Sequence, residues 1–187
     1  MLGSAEDADF RGVTGLMLID RAMQQARLKP ADVAVIALGL GPGSYTGIRS
    51  AFAIAQGWHL GRDVKVVGIS STLCLAEEAR GRAISGEVAL IVDAQRGDVY
   101  IHEYRLDSEG VREIDLLRIV PRSAVTAERV IGPEASKFVS SGIDLCPTAT
   151  TLATLHNLGL SLPVEQLEPV YLREAAFVKA PPPRRIE

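Results

Sequence analysis

The chain has 187 residues, of which 47% are hydrophobic and 23% are charged, and its formal net charge is −3. This composition excludes a disordered chain and suits one globular domain or two small ones. The slight acidity gives the chain as a whole no electrostatic reason to hold nucleic acid directly.

Targeting and redox signals are absent from the sequence. No apolar stretch approaches the ~20 residues that a membrane span needs, and residues 1–9 lack the basic and apolar regions of a secretory signal. Cys74 and Cys146 are far apart, with no second cysteine or histidine at ligand spacing. We therefore expect a cytoplasmic protein with two buried free thiols and no metal site.

The first predicted helix begins near Thr14 and ends before Lys29 and Pro30. Its apolar positions recur at helical spacing at Leu16, Ile19, Ala22, Met23 and Ala26. Residues 33–38 are apolar at every position, which predicts a strand buried on both faces of a parallel sheet.

A glycine-rich turn, GPGSYTGIR at residues 41–49, follows this strand. Gly41 and Gly43 allow positive φ, and either Ser44 or Thr46 can cap the next helix. A helix that opens from a glycine turn is a candidate anion site, although neither the Walker A nor the dinucleotide spacing fits. Gly41, Gly43 and Ser44 are therefore candidate phosphate contacts, and a capped turn without ligand is the alternative.

The second predicted helix, at residues 46–60, is apolar around most of its circumference. Such a helix must be covered on two sides, and a sheet covers only one of them. Either a neighbouring helix of the same chain or a partner protein covers the other side, and small residues such as Ala51 and Ala55 permit close approach.

The remaining elements predict two α/β domains with a boundary near Gly86. A strand at 64–69 and a helix at 72–80 complete residues 1–86, and strands at 88–92, 99–104 and 111–120 predict an antiparallel meander. Helices at 121–127, 134–139 and 150–158 and a strand at 130–132 complete the second domain, residues 87–165. Residues 166–187 form a tail whose proline-rich end is expected to be mobile.

Four motifs, GPGSYTGIR at 41–49, VVGISS at 66–71, DAQRGDVY at 93–100 and PVYLR at 169–173, together resemble the TsaB (YeaZ) family. The resemblance implies the actin-like/Hsp70-like ATPase (RNase H-like) superfold with two small α/β domains. It also places Asp93, in the hairpin of the second domain, among candidate nucleotide contacts, whereas a turn aspartate that caps backbone amides is the competing interpretation.

The family resemblance implies a non-catalytic scaffold for the complex that forms N6-threonylcarbamoyladenosine at position 37 of tRNAs reading ANN codons. The expected partners are a TsaD-type catalytic subunit, a TsaE-type ATPase and, for the chain alone, a second copy, with tRNA held only indirectly. No cofactor is expected on this chain alone, and ATP would lie at the complex interface. The expected partner interface comprises Leu16, Ile19, Met23, Ile48, Ala51, Ile54, Ala55 and Trp58.

The sequence departs from the family pattern at its start. Members are expected to open with a strand carrying an Asp-Thr pair and a hairpin strand, neither of which precedes Thr14. The first domain is therefore expected to lack its N-terminal strands, as in an N-terminally shortened product. Independent ATP hydrolysis is then hard to support, although a nucleotide-dependent ATPase or phosphotransferase of the same superfold remains the alternative.

The metal pair of the catalytic paralogue also has no counterpart. His59, His102 and His156 are scattered, and residues 67–72 offer hydroxyls where TsaD is expected to have histidines. We therefore expect each histidine to be structural and no metal to be bound.

Overall fold

The structure, a computed structural model, describes residues 15–170 and residue 172. The helices are α1 (Gly15–Ala26), α2 (Tyr45–Arg62), α3 (Ser71–Gly81), α4 (Ala135–Phe138) and α5 (Ala149–Asn157). The strands are β1 (Val35–Gly39), β2 (Lys65–Ile69), β3 (Gly86–Asp93), β4 (Asp98–Leu106), β5 (Val111–Pro121), β6 (Val130–Gly132), β7 (Ile143–Asp144) and β8 (Leu162–Pro163).

The first sheet has three described strands in the order β1-β2-β8. β1 runs parallel to β2, and β8 pairs with β2 in the antiparallel direction. Ala55 of α2 packs against Leu38 and Val66 on one face, and Leu155 of α5 packs against Ile69 on the other. Because neighbouring strand residues point to opposite faces, α2 and α5 enclose this sheet from two sides.

The second sheet has five described strands in the order β5-β4-β3-β6-β7. The β3-β4-β5 part is antiparallel throughout, which confirms the predicted meander. Leu75, Ala76 and Ala79 of α3 pack against Leu90 and Tyr104 on one face of this sheet. Since Cys74 of the same helix packs against Ile69 and Leu155, α3 links the two sheets.

Helix α5 and strand β8 return the chain to the first sheet, although they lie within the predicted second domain. Leu167 then packs against Gly68, and the Val170 N–H donates to the Leu40 carbonyl oxygen at 2.9 Å. The first residues of the predicted tail are thus attached to the first sheet. The division into residues 1–86, 87–165 and 166–187 stays a prediction, and the tail's end lies outside the described residues.

Three local predictions were wrong. β1 is less buried than predicted, since Leu38 is the one buried residue of the strand and Val35 is 37% exposed. No helix spans 121–127, since Pro121 still pairs with Asp98 in the sheet and only residues 122–124 form a 3-10 turn. Cys146 is exposed, whereas Cys74 is buried as predicted.

Candidate functional site

Helix α1 lies on the outside of the molecule. None of its residues is buried, and Leu16 is 55% exposed. It contacts α2, where a Cβ added at Gly15 would lie 2.9 Å from Ile54 Cδ1. The apolar residues of α1 lie on one side of the helix, but they cover little of the rest of the protein. Part of the apolar surface of α1 therefore faces solvent.

The residues predicted for the partner interface divide into two groups. Ala51, Ile54 and Trp58 are half-buried, as are Ile19 and Met23 of α1. Ile48 and Ala55 are buried in the chain itself, where Ile48 fills the space beside Gly41 and Ala55 packs against the first sheet. This corrects the sequence-based set, because helical spacing cannot tell which of two apolar faces turns inward. We call the remaining six residues the helix surface: Leu16, Ile19, Met23, Ala51, Ile54 and Trp58.

The glycine turn is held tightly by its own chain. Gly41 has φ +99°, its N–H donates to Ser71 Oγ at 3.1 Å, and its carbonyl oxygen accepts from the Ser71 N–H at 3.0 Å. A Cβ at Gly41 would lie 2.8 Å from Ile48 Cδ1. This glycine is therefore required both by its backbone conformation and by close packing.

Ser44 is the residue that caps α2. Its hydroxyl accepts from the Gly47 N–H at 3.3 Å, and its carbonyl oxygen accepts from the Ile48 N–H at 2.9 Å. The capped-turn interpretation thus accounts for Ser44 without a ligand. Phosphate contact by Gly41, Gly43 or Ser44 stays a prediction.

Asp93 lies at the β3–β4 turn, as predicted. Its carboxylate accepts from the Gln95 backbone N–H and from the Gln95 side-chain amide, each at 2.7 Å. These bonds are those of a turn-capping aspartate, the competing interpretation for this residue. A role in nucleotide binding stays a prediction.

A buried polar cluster, which the sequence patterns did not predict, joins the two halves of the molecule. Thr72 Oγ1 lies 2.8 Å from His102 Nδ1, 2.9 Å from Ser70 Oγ and 3.3 Å from Tyr104 Oη. Tyr104 Oη is also 3.1 Å from His102 Nδ1. The signal available in the sequence was the alternation of β4, which places His102 and Tyr104 on one strand face.

The second nitrogen of His102 faces a carboxylate. His102 Nε2 lies 3.4 Å from Glu113 Oε2, within ion-pair distance, yet the direction of approach makes no hydrogen bond and Nε2 is buried. Burial lowers the pKa of His102 below 6.5, with Glu113 opposing that shift. Because His102 is only 6% exposed, burial favours the neutral ring over the charged one.

The Thr72–His102–Glu113 arrangement has the order of a nucleophile, a base and an orienting acid. Thr72 is only 1% exposed, so a substrate has no access to its hydroxyl. Burial also raises the pKa of Tyr104 to about 12, which keeps its hydroxyl protonated and able to donate. The cluster is therefore a structural connection between α3 and β4 rather than a catalytic site.

The other histidines lie elsewhere. His59 Nδ1 donates to the Val64 carbonyl oxygen at 3.0 Å, and His156 Nδ1 lies 2.9 Å from Ser161 Oγ. Within residues 15–170, no group of three histidine, cysteine, aspartate or glutamate side chains is placed to hold a metal ion.

Comparison with known proteins gives concordant results for sequence and structure. The family model described as "TsaD: tRNA N6-adenosine threonylcarbamoyltransferase" matches residues 14–165. A YeaZ structure from Pseudomonas aeruginosa superimposes with a TM-score of 0.69 at 26% identity, covering 84% of this chain and 82% of that chain. A second structure from that organism, titled as similar to peptidase YEAZ, gives 0.71 at the same identity and coverage. The fold is thus that of the actin-like/RNase H-like ATPase class.

Curated relatives narrow the assignment. The Escherichia coli "tRNA threonylcarbamoyladenosine biosynthesis protein TsaB" is 29% identical, with 80% of this chain and 75% of the relative covered. The protein of that name from Haemophilus influenzae is 32% identical over 64% of this chain and 49% of the relative. The chain belongs to the TsaB (YeaZ) branch of the threonylcarbamoyltransferase family, as its motifs predicted.

The extent of these matches varies. The chain spans three quarters of the Escherichia coli relative but 40% of the TsaB protein from Bacillus subtilis, which is 32% identical over half of this chain. None of the described helices has the length and apolarity that crossing a bilayer requires.

Proposed function

We propose that this chain is a non-catalytic subunit in the biosynthesis of N6-threonylcarbamoyladenosine at position 37 of tRNAs reading ANN codons. It binds a TsaD-type catalytic subunit through the helix surface and supports it. The family assignment supplies the pathway. The observation that carries the scaffold role is the exposed apolar stripe of α1 lying against the half-buried outer face of α2.

The chemistry of the described residues supports an accessory role. The Thr72–His102–Glu113 group is closed to substrate, and the Ser44 and Asp93 side chains are used in local capping. We therefore assign the reaction to the partner, with any ATP at the shared interface. A TsaE-type ATPase completes the proposed complex.

Charge supports indirect rather than direct contact with tRNA. The net charge of −3 gives this chain no general attraction for a polyanion. The catalytic partner is then the subunit that holds tRNA. Since tRNA is the substrate of the complex, the proposed place of action is the cytoplasm.

The test is co-purification with a TsaD-type subunit of the same organism. We expect Leu16→Asp and Trp58→Asp to abolish co-elution in size-exclusion chromatography, because each places a carboxylate in the centre of the apolar contact. Leu116→Asp is the matched control, since Leu116 is 73% exposed on β5, far along the chain from the helix surface. Undiminished binding by a folded Leu16→Asp, Trp58→Asp double variant would refute the proposal.

The alternative function is a nucleotide-dependent ATPase or phosphotransferase. It predicts that the isolated chain binds ATP stoichiometrically in isothermal titration, with loss of binding on Gly43→Val and Asp93→Asn substitution. A scaffold whose nucleotide lies at the complex interface gives no heat of binding until the partner is added.

A further inference from the structure

A cavity of about 450 Å³ lies between helix α2 and the first sheet. Its volume is within the range of small-molecule sites in proteins. The floor of the cavity consists of core side chains, since Leu38, Ala55 and Val66 are each at most 5% exposed. The other apolar residues that line it are Phe52, Leu60 and Leu167. The cavity is thus a concave apolar surface that reaches down to the core of the first sheet.

Two polar side chains of α2, Gln56 and His59, also line this cavity. They are three residues apart, so they are neighbours on one face of the helix. His59 Nδ1 lies 3.0 Å from the Val64 carbonyl oxygen. Because a carbonyl oxygen only accepts, Nδ1 carries the proton, and Nε2 of the neutral ring is an acceptor. Among the described residues, neither His59 Nε2 nor the Gln56 amide has a hydrogen-bond partner.

A smaller cavity of about 260 Å³ adjoins the first one at His59 and Val66, which line both. Its lining includes the charged residues Asp63, Lys65 and Glu165. His59 therefore stands where an apolar cavity meets a charged one. A ligand that fills the larger cavity with an apolar body brings its polar group to His59.

The cavity and helix α1 lie on different sides of α2. Gly15, at the start of α1, packs against Ile54. Successive helical residues are rotated by about 100°, so Ile54 and Gln56 point about 200° apart. The cavity therefore uses none of the residues of the helix surface, and its test does not depend on the proposed binding of a TsaD-type subunit.

We propose that this cavity binds a small aromatic molecule that carries an N–H or O–H group, and that this group donates to His59 Nε2. The apolar floor favours a ligand body without charge. The ring of Phe52 favours an aromatic body, because paired aromatic rings attract beyond the area that they bury. The Gln56 amide both donates and accepts, so it serves a second polar atom of the ligand.

Indole and benzofuran are the probes that test this assignment. They have the same bicyclic shape, but indole has an N–H donor where benzofuran has an oxygen atom. We expect indole to shift the amide NMR signals of α2 and β2 residues around the cavity, in the full chain and in mildly alkaline buffer, in which imidazole rings are neutral. It should bind about fivefold more tightly than benzofuran, the difference expected for one hydrogen bond.

Substitutions of His59 separate its contact with Val64 from its contact with the ligand. His59→Asn keeps an amide N–H near the position of Nδ1, so the bond to Val64 is retained while the acceptor at Nε2 is lost. We expect this variant to bind indole and benzofuran equally. His59→Gln places an amide oxygen near the position of Nε2 and should restore the preference for indole. His156→Asn is the matched control on α5, where the same exchange should leave the binding of both probes unchanged.

Three results would overturn the proposal. The first is that indole fails to bind the native chain or shifts signals away from the cavity. The second is equal affinity of the native chain for indole and benzofuran, which needs no variant to be measured. The third is indole binding that appears only after residues 173–187 are deleted, since the cavity would then belong to a segment of the chain itself.

His59→Asn that is folded, by its amide spectrum, and still prefers indole would also contradict the assignment of Nε2 as the acceptor.

Discussion

Thr72 Oγ1 and His102 Nδ1 meet at 2.8 Å, although thirty positions separate these residues in the chain. Thr72 stands in the first turn of α3 and His102 in the middle of β4. The bond therefore connects the helix that follows the first sheet to the second sheet. Because both side chains are buried, each needs the other as a hydrogen-bond partner if α3 and β4 are to pack stably.

Replacing Thr72 with Val should destabilise the protein. The substitution keeps the shape but removes the hydroxyl that Ser70, His102 and Tyr104 share. Leaving buried polar atoms unpaired predicts a loss of about 1–3 kcal/mol in the free energy of unfolding, measured by urea denaturation. Thr154→Val is the control, since Thr154 is exposed and its hydroxyl donates to the Thr150 carbonyl oxygen within α5. Equal effects of the two substitutions would contradict a special role for the cluster.

Protonation of His102 should lower stability as the pH falls. Burial holds its folded pKa below 6.5, so below that pH the unfolded chain takes up a proton that the folded ring resists. The stability that the neutral ring contributes is fully present above pH 6.5 and is lost as the pH falls toward the folded pKa. The free energy of unfolding falls by at most about 1.4 kcal/mol per pH unit in this range. Urea denaturation of the native chain and of His102→Gln on both sides of pH 6.5 measures it. Parallel pH profiles for the two proteins would show that another group titrates.

Substituting Gly41 should be costly, whereas substituting another glycine nearby should not. Gly41→Ala introduces a side chain at φ +99° and 2.8 Å from Ile48 Cδ1, so we expect a loss of about 2 kcal/mol or more. Gly57→Ala lies within α2 with no heavy atom within 4 Å of the added Cβ, and it should stabilise by about 0.5–1 kcal/mol. Thermal and urea unfolding of both variants measure these effects. A neutral Gly41→Ala would mean that the turn relaxes freely.

The two thiols should differ sharply in reactivity. Cys74 is buried, and its pKa is raised to about 11 by desolvation, whereas Cys146 is exposed. We expect a thiol-specific reagent to label Cys146 rapidly in the native protein and Cys74 only after unfolding. Peptide mass spectrometry identifies the labelled site, with Cys146→Ser as the control. Rapid labelling of Cys74 in that variant would reveal local opening of the contact between α3 and α5.

The sequence was sufficient where local pattern decides the outcome. Helical spacing located α1 and α2, β-branched runs located β2 and the meander, and the glycine-rich motif led to the family. These properties depend on neighbouring residues, which the chain order already brings together. The predicted helix after Pro121 marks the limit, since the pairing of Pro121 with Asp98 in the sheet outweighed a local helix signal there.

The tertiary structure alone decided how the two apolar faces of α2 are used. Ile48 and Ala55 turn inward, whereas Ile54 and Trp58 stay partly accessible. The helical spacing of the apolar residues is the same whichever of the two faces turns inward. The tertiary structure also decided that β1 is the outermost of the described strands of its sheet and that His102 pairs with Thr72. The physical reason is that strand order and buried hydrogen bonds arise between residues distant in sequence, whereas local composition determines only which elements form.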